Sequence, residues 1–410
     1  MTTDTGVLIV GASQAGAQLA TSLREFGATC PITLVGGEPH LPYQRPPLSK
    51  SFLNGKTDAD QLLLRSASYY AEHDIDVVTG EWIEQVELAD AGGRAVAASG
   101  RTFAFSQLAL TVGGSPRRLP VPGADLGNVF YLRDLDDATA LRAALGRAQR
   151  VVVVGGGFVG LEAAAVGRSL GKDVTVVEAL DRLMARAVAP VVSQFYLEAH
   201  RRRGVRVLLG TGVVGLGGQE TVESVELSDG SSLPADIVLV GIGLVAHTEL
   251  AEQLGLACEG GIVIDEHART SRRGVVAAGD CTTLRQASGD GLLRIESVAN
   301  AIAQGRAAAA TIADVHDPLS AVPWFWSDQG DLKLQIAGLS AGYDDVVLRG
   351  DPRSERFAAL YYSGADLIAI DAVNAPRDYM AVRKILETGG SVPRELAGDT
   401  EVQLKTLIPR

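Results

Sequence analysis

Two glycine-rich stretches carry the densest chemical information in this chain. Gly11-Ala12-Ser13-Gln14-Ala15-Gly16 follows the apolar run Val7-Leu8-Ile9-Val10, and Gly155-Gly156-Gly157-Phe158-Val159-Gly160 follows Val151-Val152-Val153-Val154. A glycine turn between a buried strand and a helix lets the backbone approach a pyrophosphate closely. The helix N-terminus then supplies N–H donors and a favourable dipole. The positions that fit this chemistry are Gly11, Ser13, Ala15 and Gly16 in the first loop, and Gly155, Gly157, Val159 and Gly160 in the second. Each loop is followed, at the end of the next strand, by an acid that suits a ribose hydroxyl: Glu38 and Glu178. Two such units in one chain suggest two dinucleotides bound face to face.

Other chemistries fit less well. Cys30, Cys258 and Cys281 form no Cys-x-x-Cys pair and lack metal-ligand spacing. This weighs against a dithiol reductase, and small buried residues are the plain reading of all three. The six histidines are scattered and form no metal constellation. A net charge of -12 disfavours nucleic acid and anionic membranes as partners. Arg201-Arg202-Arg203, the densest basic run, reads as a solvated helix end, where cations suit the dipole. No apolar stretch approaches the length of a membrane span, and the N-terminus enters a strand almost at once. The expected location is cytoplasmic.

These residues need an α/β framework. The first unit reads as strand 7–10, a helix over about 15–26 and strand 32–36. It runs into Pro42-Tyr43-Gln44-Arg45-Pro46-Pro47-Leu48-Ser49-Lys50, where the prolines rule out a regular helix and favour a rigid extended loop. Leu108 to Gly114 reads as a strand entering a glycine turn, and Ser115 to Gly123, with Arg117-Arg118, as an interdomain crossing. Strand 173–178 ends at Glu178, and Ile237 to Gly243, which includes Gly241, closes the second unit. A stretch over 247–320 holds Ala278-Gly279-Asp280-Cys281 and an alanine-rich helix from about 297. From Pro323 the texture changes to aromatics and alternating strands, with a helix at about 376–388. The expected domains are a discontinuous one over 1–113 and 247–320, a second over 114–246, and an α+β domain over 321–410. Lengths of this order accommodate two or three domains.

The motifs Arg45-Pro46-Pro47-Leu48-Ser49-Lys50, Gly155 to Glu162, Ala278-Gly279-Asp280-Cys281, Glu296-Ser297-Val298-Ala299-Asn300-Ala301 and Pro323-Trp324-Phe325-Trp326-Ser327-Asp328 together resemble the ferredoxin reductases of bacterial oxygenase systems. The likeness covers nearly the whole chain. It implies two Rossmann-like domains of the glutathione reductase kind plus a C-terminal α+β domain, with FAD on the first loop and NADH on the second. It also implies hydride transfer to the flavin, then single-electron transfer to a 2Fe–2S ferredoxin. That ferredoxin would supply a haem monooxygenase or a Rieske dioxygenase.

The same resemblance distributes roles. Lys50 would stand near the reacting end of the flavin and pair with Glu162. Asp280 would accept from a ribityl hydroxyl, and the helix starting near Glu296, Ser297 and Val298 would point its positive end at the flavin pyrimidine. Arg45 and Arg133 would contact FAD, and Ile83 would lie beside the adenine. Glu178 would accept from the ribose 2′-OH of NADH and repel the 2′-phosphate of NADPH, with nearby Arg182 acting against that preference. Gly241 would be a further cofactor-binding position, and Trp324 would lie near the nicotinamide. Trp324, Trp326 and Arg306 would face the ferredoxin, or else serve as aromatic packing and an ordinary helix-surface arginine. The sequence departs from the pattern at Ser13, Gly37 and Thr111-Val112-Gly113. Two rivals use the same fold: an NADH oxidase or peroxidase without a protein acceptor, and a redox-switched interaction protein. Monomer and homodimer both remain open.

Overall fold

The computed structural model describes residues 5–89, 91–286 and 291–409. Along the chain run β1 (Val7–Val10), α1 (Gln14–Glu25), β2 (Ile32–Val35), β3 (Gln107–Leu110), β4 (Arg150–Val154), α2 (Phe158–Ser169), β5 (Asp173–Val177) and α3 (Pro190–Arg202). They are followed by β6 (Ile237–Val240), β7 (Val275–Ala277), α4 (Val298–Ile312), β8 (Trp324–Gln329), β9 (Leu332–Gly338), β10 (Arg356–Ser363), β11 (Asp366–Val373) and α5 (Pro376–Glu387). Shorter elements are given by residue range. The chain forms two units: Met1–Gln44 with Asp60–Ser115 and Val245–Ala321, and Arg45–Ala59 with Pro116–Leu244 and Val322–Arg410.

The first unit is built on a parallel sheet in the order β7, β3, β1, β2 and Ile75–Val78. All four residues of β1 are buried, as a central parallel strand covered on both faces requires. Helices α1 and α4 pack closely. A Cβ on Gly305 of α4 would lie 2.7 Å from the Ala15 carbonyl oxygen, so only glycine permits this approach. A three-stranded antiparallel sheet, Ile83–Leu88, Gly93–Ala97 and Thr102–Phe105, also belongs to the unit, as does the sheet of Ile262–Ile264, Thr282–Arg285 and Leu292–Leu293.

The second unit repeats the plan, with a sheet in the order Arg206–Leu208, β5, β4, β6 and Val129–Tyr131. An antiparallel sheet follows, ordered β8, β9, β11, β10 and Asp345–Asp351. One of its faces contributes Leu332, Leu334, Phe357 and Tyr361 to the same core as Leu161 of α2 and Val192 of α3. The other face packs Leu360 and Ile370 against Tyr379, Val382 and Ile385 of α5. The change of texture at Pro323 thus marks the start of a sheet that shares a core with the second glycine-loop fold.

Two local expectations change. The proline segment is not extended: Pro46–Ser49 forms a turn of 3₁₀ helix with proline in its first positions. Proline's fixed φ suits a helix start, where its missing N–H has no role, and the turn buries Leu48 and Ser49. The arginine run does end helix α3, but it is not merely solvated. Arg203 pairs with Asp331 at 2.8 Å and with Glu355 at 2.6 Å, and Arg202 reaches Glu355 at 2.9 Å. Among the described residues no helix is long and apolar enough to cross a membrane.

Candidate functional site

In the first unit the glycine loop closes on its own backbone. Gly11 has φ +114°, and a Cβ there would lie 2.2 Å from the Thr111 carbonyl oxygen. A Cβ on Gly16 would lie 2.1 Å from the Gly11 carbonyl oxygen. Ser13 is the N-cap of α1, and Ala15 is buried in its first turn. Asp280 follows Gly279, which has φ +90° and packs near the Ala15 methyl. Gly279 N–H donates to Gln304 Oε1 at 2.7 Å, tying the Asp280 turn to α4. Ser297 caps α4, its Oγ accepting from the Asn300 N–H at 3.1 Å. Val298 is half-buried at the helix start, and Glu296 is exposed and paired with Arg294 at 2.9 Å.

The hydroxyl of buried Tyr43 donates to Glu38 Oε2 and fixes that carboxylate. A Cβ on Gly37 would lie 2.6 Å from Trp82 Cε3, which accounts for glycine at that point. Ile83 is buried in the core of the unit, whereas neighbouring Trp82 is 56% exposed. Arg306 pairs with Asp317 at 2.7 Å and Glu25 at 3.2 Å, and lies over the Phe26 ring.

In the second unit Gly155 has φ +108°, and a Cβ on it would lie 2.4 Å from the Gly241 carbonyl oxygen. A Cβ on Gly160 would meet the Gly155 carbonyl oxygen at 2.3 Å, whereas a Cβ on Gly157 would meet nothing within 4 Å among the described residues. The turn is therefore packed shut on one side and open at Gly157, the N-cap of α2. That is the shape a pyrophosphate cradle needs. Val159 is exposed in the same first turn. Glu178 accepts from the Gly156 N–H at 2.7 Å through Oε2 and from the Leu180 N–H at 2.8 Å through Oε1. Arg182 donates to the Val188 and Ala185 carbonyls at 2.7 and 2.5 Å. Its guanidinium is committed to the backbone.

The same unit brings Lys50 and Glu162 together, although 112 positions separate them. Lys50 Nζ lies 2.7 Å from Glu162 Oε2, with the lysine 17% exposed and the glutamate 3%. The proline turn aims the lysine: Nζ also donates to the Pro46 carbonyl at 3.1 Å. Ser49 Oγ donates to Glu162 Oε2 at 2.5 Å and Ser327 Oγ to Oε1 at 2.7 Å. Burial pushes the Glu162 carboxyl above the usual range, opposed by the Lys50 charge and by the donors from Lys50, Ser49 and Ser327. Arg45 donates to the Arg133 carbonyl at 2.8 Å, and the Arg133 N–H to Asp137 Oδ2 at 2.9 Å. On β8, Trp324 stacks on Trp326 with centroids 5.6 Å apart and lies under the Arg383 guanidinium. Phe325 packs on Phe158 with centroids 4.6 Å apart.

Sequence reasoning missed Tyr43, Trp82, Gln329, His200 and the donor role of Ser327. The period-two alternation through Phe325, Ser327 and Gln329 was the available signal for the β8 residues.

The chain matches the family model described as pyridine nucleotide-disulphide oxidoreductase over residues 5–305 and the one described as reductase C-terminal over 324–408. It is 42% identical to rhodocoxin reductase of Rhodococcus erythropolis over 98% of this chain and 94% of that one. The ferredoxin reductase for the CYP199A2 system from Rhodopseudomonas palustris superposes with a TM-score of 0.95 at 39% identity, covering 99% of this chain and 100% of that one. The reductase in the covalent putidaredoxin reductase–putidaredoxin complex gives 0.94 at 38% identity, with 98% of both chains covered.

Proposed function

Because the chain belongs to the pyridine nucleotide-disulphide oxidoreductase family, we propose that it is an FAD-dependent NADH:ferredoxin reductase in the cytoplasm, serving an oxygenase through a 2Fe–2S ferredoxin. The observation that carries this reading is the Lys50–Glu162 pair, aimed by the proline turn and mounted on the helix behind the second glycine loop. The reductases named in the two structural neighbours, one solved with its redoxin, support the choice of acceptor.

Bound FAD supplies the exchange between a hydride from NADH and two single electrons. The protein's part is orientation and charge. Gly11, Ser13, Ala15 and Gly16 would hold the FAD pyrophosphate, with Glu38 on the ribose and Asp280 on the ribityl chain. Arg45, Arg133, Ile83 and Glu296 would add contacts, and the N-terminus of α4 at Val298 would favour negative charge on the pyrimidine. Gly155, Gly157, Val159, Gly160 and Gly241 would hold NADH, with Glu178 on its 2′-OH and Trp324 toward the nicotinamide. We assign FAD to 1–113 with 247–320, NADH to 114–246, and a docking role to 321–410. Lys50 is the cation for the developing anion, and Glu162 holds it in place.

The cysteines offer no competing redox centre. Among the described residues no disulfide joins them, and burial pushes the Cys281 thiol up to about 11, away from the thiolate such chemistry needs. The decisive experiment is NADH-driven cytochrome c reduction with and without an oxygenase-type 2Fe–2S ferredoxin. Strong dependence on the ferredoxin is the expected outcome. Flavin that NADH reduces, with no acceleration by several such ferredoxins, refutes the acceptor.

A further inference from the structure

The Lys50–Glu162 pair is the visible end of a longer series of hydrogen bonds. Alternation along β8 turns Phe325, Ser327 and Gln329 to one face. Phe325 meets Phe158 at the start of α2, and Ser327 meets Glu162 one helical turn further on. Gln329 Nε2 donates to Ser327 Oγ at 3.2 Å, and Gln329 Oε1 lies 2.7 Å from His200 Nε2 on α3. Ser327 and Gln329 are 0% exposed and His200 is 1% exposed.

With Glu162 ionised against the Lys50 ammonium 2.7 Å away, the direction of every proton in the series follows. Its Oε1 can then only accept, so Ser327 donates to it. The Ser327 oxygen then accepts from the Gln329 amide nitrogen. That leaves the Gln329 carbonyl as the acceptor for His200, so His200 carries its proton on Nε2. Its Nδ1 is buried and has no hydrogen-bond partner among the described residues, which suits a bare lone pair and not an N–H. Burial pushes the His200 pKa down, and the positive charge of Arg203 adds to this against the hydrogen bond that the ring donates to Gln329. The other groups at this imidazole are Gln329 and Tyr196, whose ring lies 6.4 Å away on α3. The groups at Glu162 are Lys50, Ser49 and Ser327. Three neutral dipoles therefore line up with their positive ends toward one buried carboxylate.

We propose that His200, Gln329 and Ser327 are positioning residues that keep Glu162 ionised, and thereby hold the Lys50 ammonium in its place. This rests on the reading of Lys50–Glu162 as the pair that serves the nicotinamide–flavin reaction. Without the series, burial would drive Glu162 toward its neutral form and release the lysine.

The test compares the wild-type holoenzyme with Ser327→Ala, Gln329→Leu, His200→Leu and His200→Gln. Two readouts are followed across pH. One is the rate constant of flavin reduction by NADH in anaerobic stopped flow. The other is the infrared carboxyl band of Glu162, assigned by its loss in Glu162→Gln. Ser327→Ala should move the acid limb of the reduction rate up by about one pH unit, the effect of one charge-assisted hydrogen bond. The protonated carboxyl band should appear over the same interval. Gln329→Leu and His200→Leu should shift both readouts the same way by less. His200→Gln keeps a donor where Nε2 stood and should restore them. Nitrogen NMR of labelled histidines should show one ring protonated on Nε2 that does not titrate where an ordinary imidazole does. Wild-type acid limbs and infrared bands in all three disrupting variants overturn the proposal. If Lys50→Ala and Glu162→Gln leave flavin reduction unchanged, the assigned role of the pair falls, while the infrared and NMR readouts still judge the series.

Discussion

Replacing Glu178 tests how this chain chooses its pyridine nucleotide. Both carboxylate oxygens are already engaged, Oε2 by the Gly156 N–H and Oε1 by the Leu180 N–H. A carboxylate has about four acceptor sites, so two remain for a ribose 2′-OH. A hydrogen bond to a charged group contributes about 1.5–3 kcal/mol, so Glu178→Ala should lower kcat/KM for NADH about 10- to 100-fold. For NADPH the carboxylate is a repulsive charge. At about 5 Å and an effective dielectric near 20 the repulsion is about 3 kcal/mol per unit charge. Partial exposure of Glu178 and salt screening reduce it to about 1 kcal/mol. The NADPH gain should therefore stay within about tenfold, because Arg182 spends its guanidinium on the Val188 and Ala185 carbonyls. The ratio should narrow mainly by loss of NADH. Glu178→Gln keeps one acceptor oxygen and should lose less NADH activity than the alanine variant. The assay is the rate of flavin reduction against each nucleotide at fixed ionic strength, with a melting curve to show that the loop still folds. An unchanged ratio in Glu178→Ala refutes the assignment. A variant that prefers NADPH tenfold refutes the account of Arg182.

Lys50→Ala should retain FAD yet slow flavin reduction by NADH about 10- to 100-fold, read by stopped flow on the yellow protein. Tyr43→Phe removes the hydroxyl that donates to Glu38 and should raise the FAD dissociation constant about fivefold, as loss of about 1 kcal/mol implies; flavin fluorescence on dilution measures it. Gly160→Ala puts a methyl 2.3 Å from the Gly155 carbonyl oxygen; NADH titration should show binding lost while the FAD spectrum stays unchanged. Burial pushes buried Asp371 up to about 7, against the hydrogen bond from Tyr361. The folded state thus holds a proton that the unfolded state releases near pH 4, so this group stabilises at low pH and that stability is lost between about pH 4 and 7. Asp371→Asn should flatten melting temperature against pH over that window and raise it at alkaline pH.

Strands and loops dictated by local pattern were legible. The runs Val7–Val10 and Val151–Val154 form the centres of their sheets, because a fully buried parallel strand must be continuously apolar. Spacing alone singles out Glu38 and Glu178 as the acids that end the second strand of each unit. Tyr43 was not, because its value lies in a hydroxyl reaching back to Glu38 from a loop with no regular period. The proline turn was misread because two prolines argue equally for an extended segment and for the first positions of a 3₁₀ turn. Only burial of Leu48 and Ser49 decides between them. Gln329 and His200 lie 129 positions apart, and no periodicity within β8 or α3 names the other. Arg182 stands close to Glu178 in sequence, but its two carbonyl partners are a tertiary fact.

The segment Arg45–Ala59 has a consequence for dissection and grafting. It belongs to the second unit, although the chain on either side of it belongs to the first. A fragment cut from Pro116 to Leu244 would keep Glu162 but leave behind Lys50, Ser49 and Ser327, stranding a buried carboxylate without its counter-ion. The C-terminal sheet is equally inseparable, since Leu332, Phe357 and Tyr361 fill the core around Leu161 and Val192. A nucleotide-binding module transplanted from this protein must therefore be assembled from three separate stretches of sequence. A chimera that moves only the contiguous glycine-loop fold inherits the motif without the Lys50, Ser49 and Ser327 donors that meet its buried glutamate.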